Sequence, residues 1–269
     1  MRSGSRIGWV GALAVVLIGV AASTASAQGV VGRTVDLLTQ PWTDHGYFNV
    51  NFARQRAERS VEIATSFPLY DETATFGSRV TVDRASVTDF MGGVRVWRNL
   101  AVGVGFSQYK DPTSATYTAS VPDPLFFDRP HVSSGGIPGQ QHTEKTVYLS
   151  ALWMIPIRDN LDVAVFAGPS FVSLDKDFVT GITVAPGTAD IASFTTSRIS
   201  ESSTAVHFGI DIRYTIDVAD VPGIRKAGSI VRKVGIGVFA RFSGGSVDSA
   251  FGTIDVGGTQ YGVGLRIGF

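Results

Sequence analysis

The sequence predicts an all-β fold in which eight antiparallel strands close into an up-and-down transmembrane barrel. Three observations carry this expectation. Apolar residues alternate with small or polar ones in eight segments, the connections alternate between tight turns and long stretches, and the chain ends on an alternating strand whose last residue is aromatic. Successive side chains of a strand point to opposite faces, so each such segment has one apolar and one polar side.

The strands follow in chain order. "YFNVNFARQ" sets Phe48, Val50 and Phe52 against Asn49 and Asn51, and "TDFMGGVRVW" aligns Phe90, Gly92, Val94 and Val96. "LAVGVGFSQYK" aligns Leu100, Val102, Val104 and Phe106; "TVYLSALWMIPI" aligns Val147, Leu149, Ala151, Trp153 and Ile155. "LDVAVFAGPSFVS" contributes Leu161, Val163, Val165 and Ala167, and "STAVHFGIDIRYTI" sets Val206, Phe208, Ile210, Ile212, Tyr214 and Ile216 against His207, Asp211 and Arg213. "KVGIGVFARFSGG" carries Val234, Ile236, Val238, Ala240 and Phe242, and the terminal "TQYGVGLRIGF" carries Tyr261, Val263, Leu265, Ile267 and Phe269. Each segment has about the 9–11 residues that a tilted membrane strand needs. The i, i+3, i+4 pattern of a helix lands on polar residues in most of them.

Arg98-Asn99 and Arg158 to Asn160 have turn chemistry. Between the turns lie stretches rich in Pro, Gly, Ser and Thr, at 57–86, 111–142 and 174–201, which are expected as long loops on the opposite side. Short turns on one side and long loops on the other match the periplasmic and extracellular ends of an outer-membrane barrel. The connection 217–232 is a longer exception on the turn side and carries Arg225, Lys226 and Arg232, with Lys233 next to it. "RSVEIATSF" and "TATFGSRVTV" leave ten strands as an alternative, but they read better as the extramembrane continuation of the first two strands.

At the start of the chain, Arg2 and Arg6 precede the apolar run "VGALAVVLIGVA" and the small-x-small site Ala25-Ser26-Ala27. This is the pattern of a cleaved signal peptide. The expected organisation is therefore a signal peptide at 1–27, a periplasmic leader at 28–43 and an outer-membrane barrel at 44–269. Hydrophobic residues make up 44% of the chain and charged ones only 17%, with no later helix candidate, as when alternation dilutes an apolar surface. Without Arg2 and Arg6, the 23 basic residues fall to 21 against 23 acidic ones, so no basic surplus points to nucleic acid. The absence of cysteine excludes a disulfide framework, a thiol nucleophile and a cysteine metal site.

The ending, with an aromatic last residue and apolar residues at alternate positions before it, resembles the C-terminal signal of outer-membrane barrel proteins that the barrel-assembly machinery recognises. The strand-and-turn pattern of the whole mature chain resembles the small eight-stranded OmpA- and OmpX-type barrels. The resemblance implies outer-membrane lipids and the assembly machinery as partners, and Tyr261, Val263, Leu265, Ile267 and Phe269 as the assembly signal. It does not specify an activity, because one fold hosts many. Trp153, Tyr214 and Phe269 are expected at the periplasmic interface, where aromatic residues form a girdle.

By parity the lumen should hold Asn49, Asn51, Asp89, Arg95, Asp162, His207, Asp211, Arg213, Arg241 and Arg266, with the bulk of Phe166 and Phe239. Unpaired charges in a narrow lumen are costly, so a charge network is expected, with Asp89 or Asp162 balancing the arginines around Asp211. Three of the four histidines lie in expected loops or near the first strand, without metal-ligand spacing. His207 is the candidate base. A lipid-modifying outer-membrane enzyme of the deacylase kind has a serine two residues from such a histidine, where this chain has Gly209. An omptin-type protease leaves no recognisable trace.

Among the expected loops, "SVPDPLFFDRPH" holds Phe126 and Phe127 between prolines, either to bind an extracellular partner or to pack on the barrel mouth. The expectation is a monomeric, non-enzymatic barrel without catalytic residues, cofactor or metal, acting structurally or through its extracellular side. A narrow channel for small solutes is the alternative.

Overall fold

The computed structural model describes residues 41–220, 230–250 and 252–269. The signal-peptide segment, the leader as far as Gln40, Arg225 and Lys226 lie outside them. The strands are β1 (Gly46–Leu69), β2 (Glu72–Trp97), β3 (Leu100–Val121), β4 (His131–Arg158), β5 (Leu161–Val184), β6 (Ile191–Asp217), β7 (Lys233–Ser249) and β8 (Gly252–Gly268). Each pairs antiparallel with the next, and β8 returns to β1 from Tyr47↔Gly268 to Arg56↔Thr259, closing the barrel. Closure satisfies the backbone groups that an open edge would leave unpaired in lipid.

The count is eight. Residues 57–86 continue β1 and β2 to a two-residue turn at Tyr70-Asp71, both at positive φ (53° and 62°), as the tightest hairpin turns require. The expected loops at 111–142 and 174–201 are corrected: most of each stretch is strand. Register continues to Val121↔His131 and to Val184↔Ile191, leaving connections only at 122–130 and 185–190. Runs such as "TSATYTASV" are polar, yet Thr, Tyr and Val suit a pleated ladder. Composition alone made them look like loops. In the connection after β6, Val218–Asp220 form a 3₁₀ turn, and Arg232 donates its N–H to the Gly268 carbonyl at 2.8 Å.

The 24 residues of β1 run about 80 Å at ~3.3 Å each, or about 60 Å of height at a tilt of ~40°. An apolar membrane band is only ~25 Å tall. The outer wall divides accordingly. Around the periplasmic half it exposes Phe48, Phe52, Val102, Val104, Phe106, Leu149, Val165, Phe208, Ile212, Ile236, Val263 and Leu265. Higher up, Arg54, Arg56, Lys110 and Lys145 replace them at outward positions. At the base Trp153 packs on Trp97, with ring centroids 6.4 Å apart, and Tyr214 is exposed. The register shift between Arg95 and Trp97 turns both Val96 and Trp97 outward, so Trp97 joins this level although strict alternation points it inward.

The interior is filled in layers. Trp42, Tyr47, Met91, Leu152, Met154 and Phe166 belong to the cluster at the periplasmic end. Buried polar groups occupy the middle. Above the membrane a second apolar core includes Phe76, Val80, Val172, Leu174, Phe178 and Val256. There the β1–β2 hairpin leans on β5: Ser78 Oγ donates to the Val179 carbonyl at 2.7 Å, and Thr65 Oγ1 to that of Thr180 at 3.1 Å. β8 parts from β1 above Thr259, at Gly257 and Gly258, whose φ values of 89° and 128° favour glycine.

Candidate functional site

In the middle layer, side chains from β1, β2, β4, β6, β7 and β8 form one connected polar set. Arg213 Nε and Nη2 donate to the two carboxylate oxygens of Asp211 at 2.6 and 3.0 Å, and Nη2 also to Asn51 Oδ1 at 2.6 Å. Arg266 bridges Asp211 (3.1 Å) and Asn49 (3.0 Å). Asn51 passes the chain on to Asp89 at 2.6 Å, and Asp89 holds Arg241 at 2.9 Å and the Tyr148 hydroxyl at 2.5 Å. Arg241 lies over the Tyr148 ring, 4.4 Å from its centroid, and donates to Gln260, which donates to Gln55 at 2.6 Å. Bonds between charged groups in a dry interior are shorter and stronger than neutral ones.

Asp89 rather than Asp162 joins the arginines directly. Asp162 is buried elsewhere in the lumen. Arg95 lies apart from the chain of bonds and donates to the Trp42 carbonyl.

His207 sits in the lumen between two serines. Its Nε2 is 2.7 Å from Ser150 Oγ and its Nδ1 2.8 Å from Ser170 Oγ, with the Tyr148 ring edge-on at 5.0 Å. All are buried. The void beside them and the one beside Asn51, Asp89 and Arg241 measure about 10 Å³ each, roughly room for one water.

His142, expected in a loop, is instead a buried residue of β4. Its Nε2 lies 2.8 Å from Glu144, and its ring meets Tyr109 edge-on at 5.5 Å. Together with Lys176 it borders a cavity of about 240 Å³ above the membrane, close to where β8 leaves β1. Among the described residues no group of three or more His, Asp and Glu side chains could hold a metal ion.

The extracellular tip at 122–130 has a built shape. Asp123 Oδ1 accepts from the N–H groups of Leu125 and Phe126 at 2.8 and 3.2 Å, and the Asp128 N–H donates to Glu72 Oε1 at 2.7 Å, which ties the tip to the β1–β2 hairpin. Leu125, Phe126 and Phe127 remain 81%, 56% and 71% exposed. Of the two readings of this segment, packing on the barrel mouth does not describe them.

Several lumenal residues went unnoticed in the sequence. Gln55, Tyr148, Ser150, Ser170 and Gln260 share the inward parity of the charged residues, and a parity search extended to neutral polar side chains finds them. Their partnerships cross from 19 to 205 positions of sequence, so no local motif announces them.

Closed ring, apolar outer band, aromatic base and filled polar lumen define a small β-barrel of the outer-membrane type. The sequence matches no protein-family model and none of the curated proteins. Among solved structures the chain is similar to neisserial surface protein A (14% identity over 83% of this chain and 97% of that one, TM-score 0.41). It is also similar to the N-terminal barrel domain of Pseudomonas aeruginosa OprF (11%, 84% and 98%, TM-score 0.37) and to the outer membrane protease OmpT of Escherichia coli (10%, 83% and 97%, TM-score 0.39). Likeness at this level transfers no activity.

Proposed function

We propose that this chain is a non-enzymatic barrel of the outer membrane that holds a binding surface outside the cell. The observation that carries the reading is the braced tip that keeps Leu125, Phe126 and Phe127 in water. Three adjacent large apolar side chains held in water by a fixed loop favour a partner surface over a solvated turn. The interior supports the same reading: both ring nitrogens of His207 are taken up by serine hydroxyls in an enclosed space, away from the lipid that a lipid-cleaving enzyme must reach.

The test is selection of a displayed peptide library on the folded protein in lipid nanodiscs. Phe126→Ser/Phe127→Ser in the same nanodiscs serves as the control. Peptides that bind the parent and lose binding by tenfold or more on the variant are expected (a tenfold loss is about 1.4 kcal/mol). A selection whose products bind both proteins equally would contradict the role of the tip. The narrow-channel alternative separates from this reading on conductance.

Export by a cleaved signal peptide and insertion by the assembly machinery belong to the same proposal. Phe269 makes only the last rung of the seam: its N–H donates to the Gly46 carbonyl at 3.0 Å and its own carbonyl accepts from His45 and Gly46, below the ten register pairs that join β8 to β1. Deleting Phe269 should lower the amount of barrel reaching the outer membrane while leaving molecules folded in detergent with a near-parental urea midpoint. Parental outer-membrane levels would refute the assembly role.

A further inference from the structure

The outer wall changes character abruptly above the apolar band. Phe106 and Val147, paired across β3 and β4, are both exposed. Two residues higher Lys145 stands opposite Gln108, and two residues further Lys110 stands opposite Thr143. The two lysines are therefore diagonal neighbours on adjacent strands, with backbones about 7–8 Å apart. They border an open groove of about 310 Å³ that continues to Asp175 and Arg198.

The charges of this groove are not equivalent. Asp175 accepts from Ser200 Oγ at 2.6 Å. Asp177 is held by Arg198 through bonds of 2.7 and 3.1 Å, and these hydrogen bonds keep its carboxyl below the usual range. That pair is largely self-compensated. Lys110 and Lys145 form no ion pair among the described residues, and both are exposed.

We propose that this groove binds a phosphate carried on the head group of an outer-leaflet glycolipid. The proposal rests on the reading of the chain as a bilayer-spanning barrel. The top of the apolar band marks the height at which acyl chains give way to head groups, so a lipid standing against Phe106 and Val147 brings its phosphate to the lysines. Their stems can lie along the apolar wall while the ammonium groups meet the anion as mobile point charges. Gln108 and Thr143 add neutral donors beside them. Arg54 and Arg56 carry the same sign round the wall on β1.

The test uses the full mature chain in phosphatidylcholine nanodiscs containing diphosphorylated lipid A, monophosphorylated lipid A or the phosphate-free lipid. Retained lipid is counted by native mass spectrometry. The parent should keep one glycolipid, with retention falling as phosphates are removed. Lys110→Gln/Lys145→Gln should lower retention by about tenfold or more with an unchanged heat-modifiable gel shift, whereas Arg129→Gln at the tip should bind as the parent does. Equal retention by the parent and the double variant, or of phosphorylated and phosphate-free lipid, would overturn the site. Complete displacement by millimolar inorganic phosphate would make it a free-phosphate site and overturn the lipid assignment. A parent chain with no heat-modifiable form would overturn the barrel reading and the site with it.

Discussion

Asp211→Ala should destabilise the barrel by about 3–5 kcal/mol, the usual cost of removing one partner from a buried ion pair. Asp211 accepts from Arg213 and Arg266, whose side chains are 0% and 3% exposed. Each of these guanidiniums already has one nitrogen, Nη1, without a hydrogen-bond partner. Removing the carboxylate leaves two more N–H donors of Arg213 and one of Arg266 unmatched, in a layer with little room for water. Asp211→Asn keeps one acceptor oxygen and should fall between parent and alanine variant. An exposed carboxylate such as Glu62, paired with Arg79 on the outer wall, should lose only about 0–1 kcal/mol on the same change. The measurement is urea unfolding in detergent, followed by tryptophan fluorescence and gel mobility together. A variant that unfolds with the parent would mean that the β6 polar face is solvated and that its inward assignment is wrong.

Gly105→Val should be the next most damaging change, at about 1–3 kcal/mol for overpacking, and more where a charged hydrogen bond goes with it. A Cβ at Gly105 would lie 2.2–2.4 Å from Cζ, Cε2 and Oη of Tyr148, its register partner on β4, far inside van der Waals contact. That ring cannot simply swing away, because its hydroxyl donates to Asp89, its face carries Arg241 and its edge meets His207. The strain therefore spreads through the centre of the network. A double-mutant cycle checks the cause. Tyr148→Ala opens the space that the valine needs, so Gly105→Val/Tyr148→Ala should lose clearly less than the two single losses added. Additive losses would mean that Gly105 acts through something other than this contact.

The same glycine shows what alternation could and could not reveal. Glycine on the polar face of "LAVGVGFSQYK" reads as a weak strand position, yet its emptiness makes room for a tyrosine 43 residues further on. Pleat and parity were legible because they are local: the inward placement of Asp89, Asp211, Arg213, Arg241 and Arg266 follows from counting by twos. Which of them touch was not legible, because contact depends on register and on the diameter of the closed ring. The upper barrel was hidden for a different reason. Between Lys110 and His142 the chain has no lipid to face and so shows no apolar rhythm, and its ladder is set by partner strands. Composition therefore reads His142 as a loop residue, although it lies buried in β4 beside Glu144. A single bulge turns Trp97 outward, against the parity of its segment, by shifting the period by one residue.

A barrel sealed by its own side chains leaves its extracellular end as the proposed place of its function. Arg213, Arg241, Arg266, Tyr148 and Phe166 are packed across the lumen, and the voids beside them are the size of a single water. Single-channel recording of the heat-modifiable, folded protein in planar bilayers tests this most directly. The expected result is a baseline without steady steps in molar potassium chloride, at either polarity. Reproducible ohmic steps from the parent protein would contradict the sealed lumen and favour the solute channel.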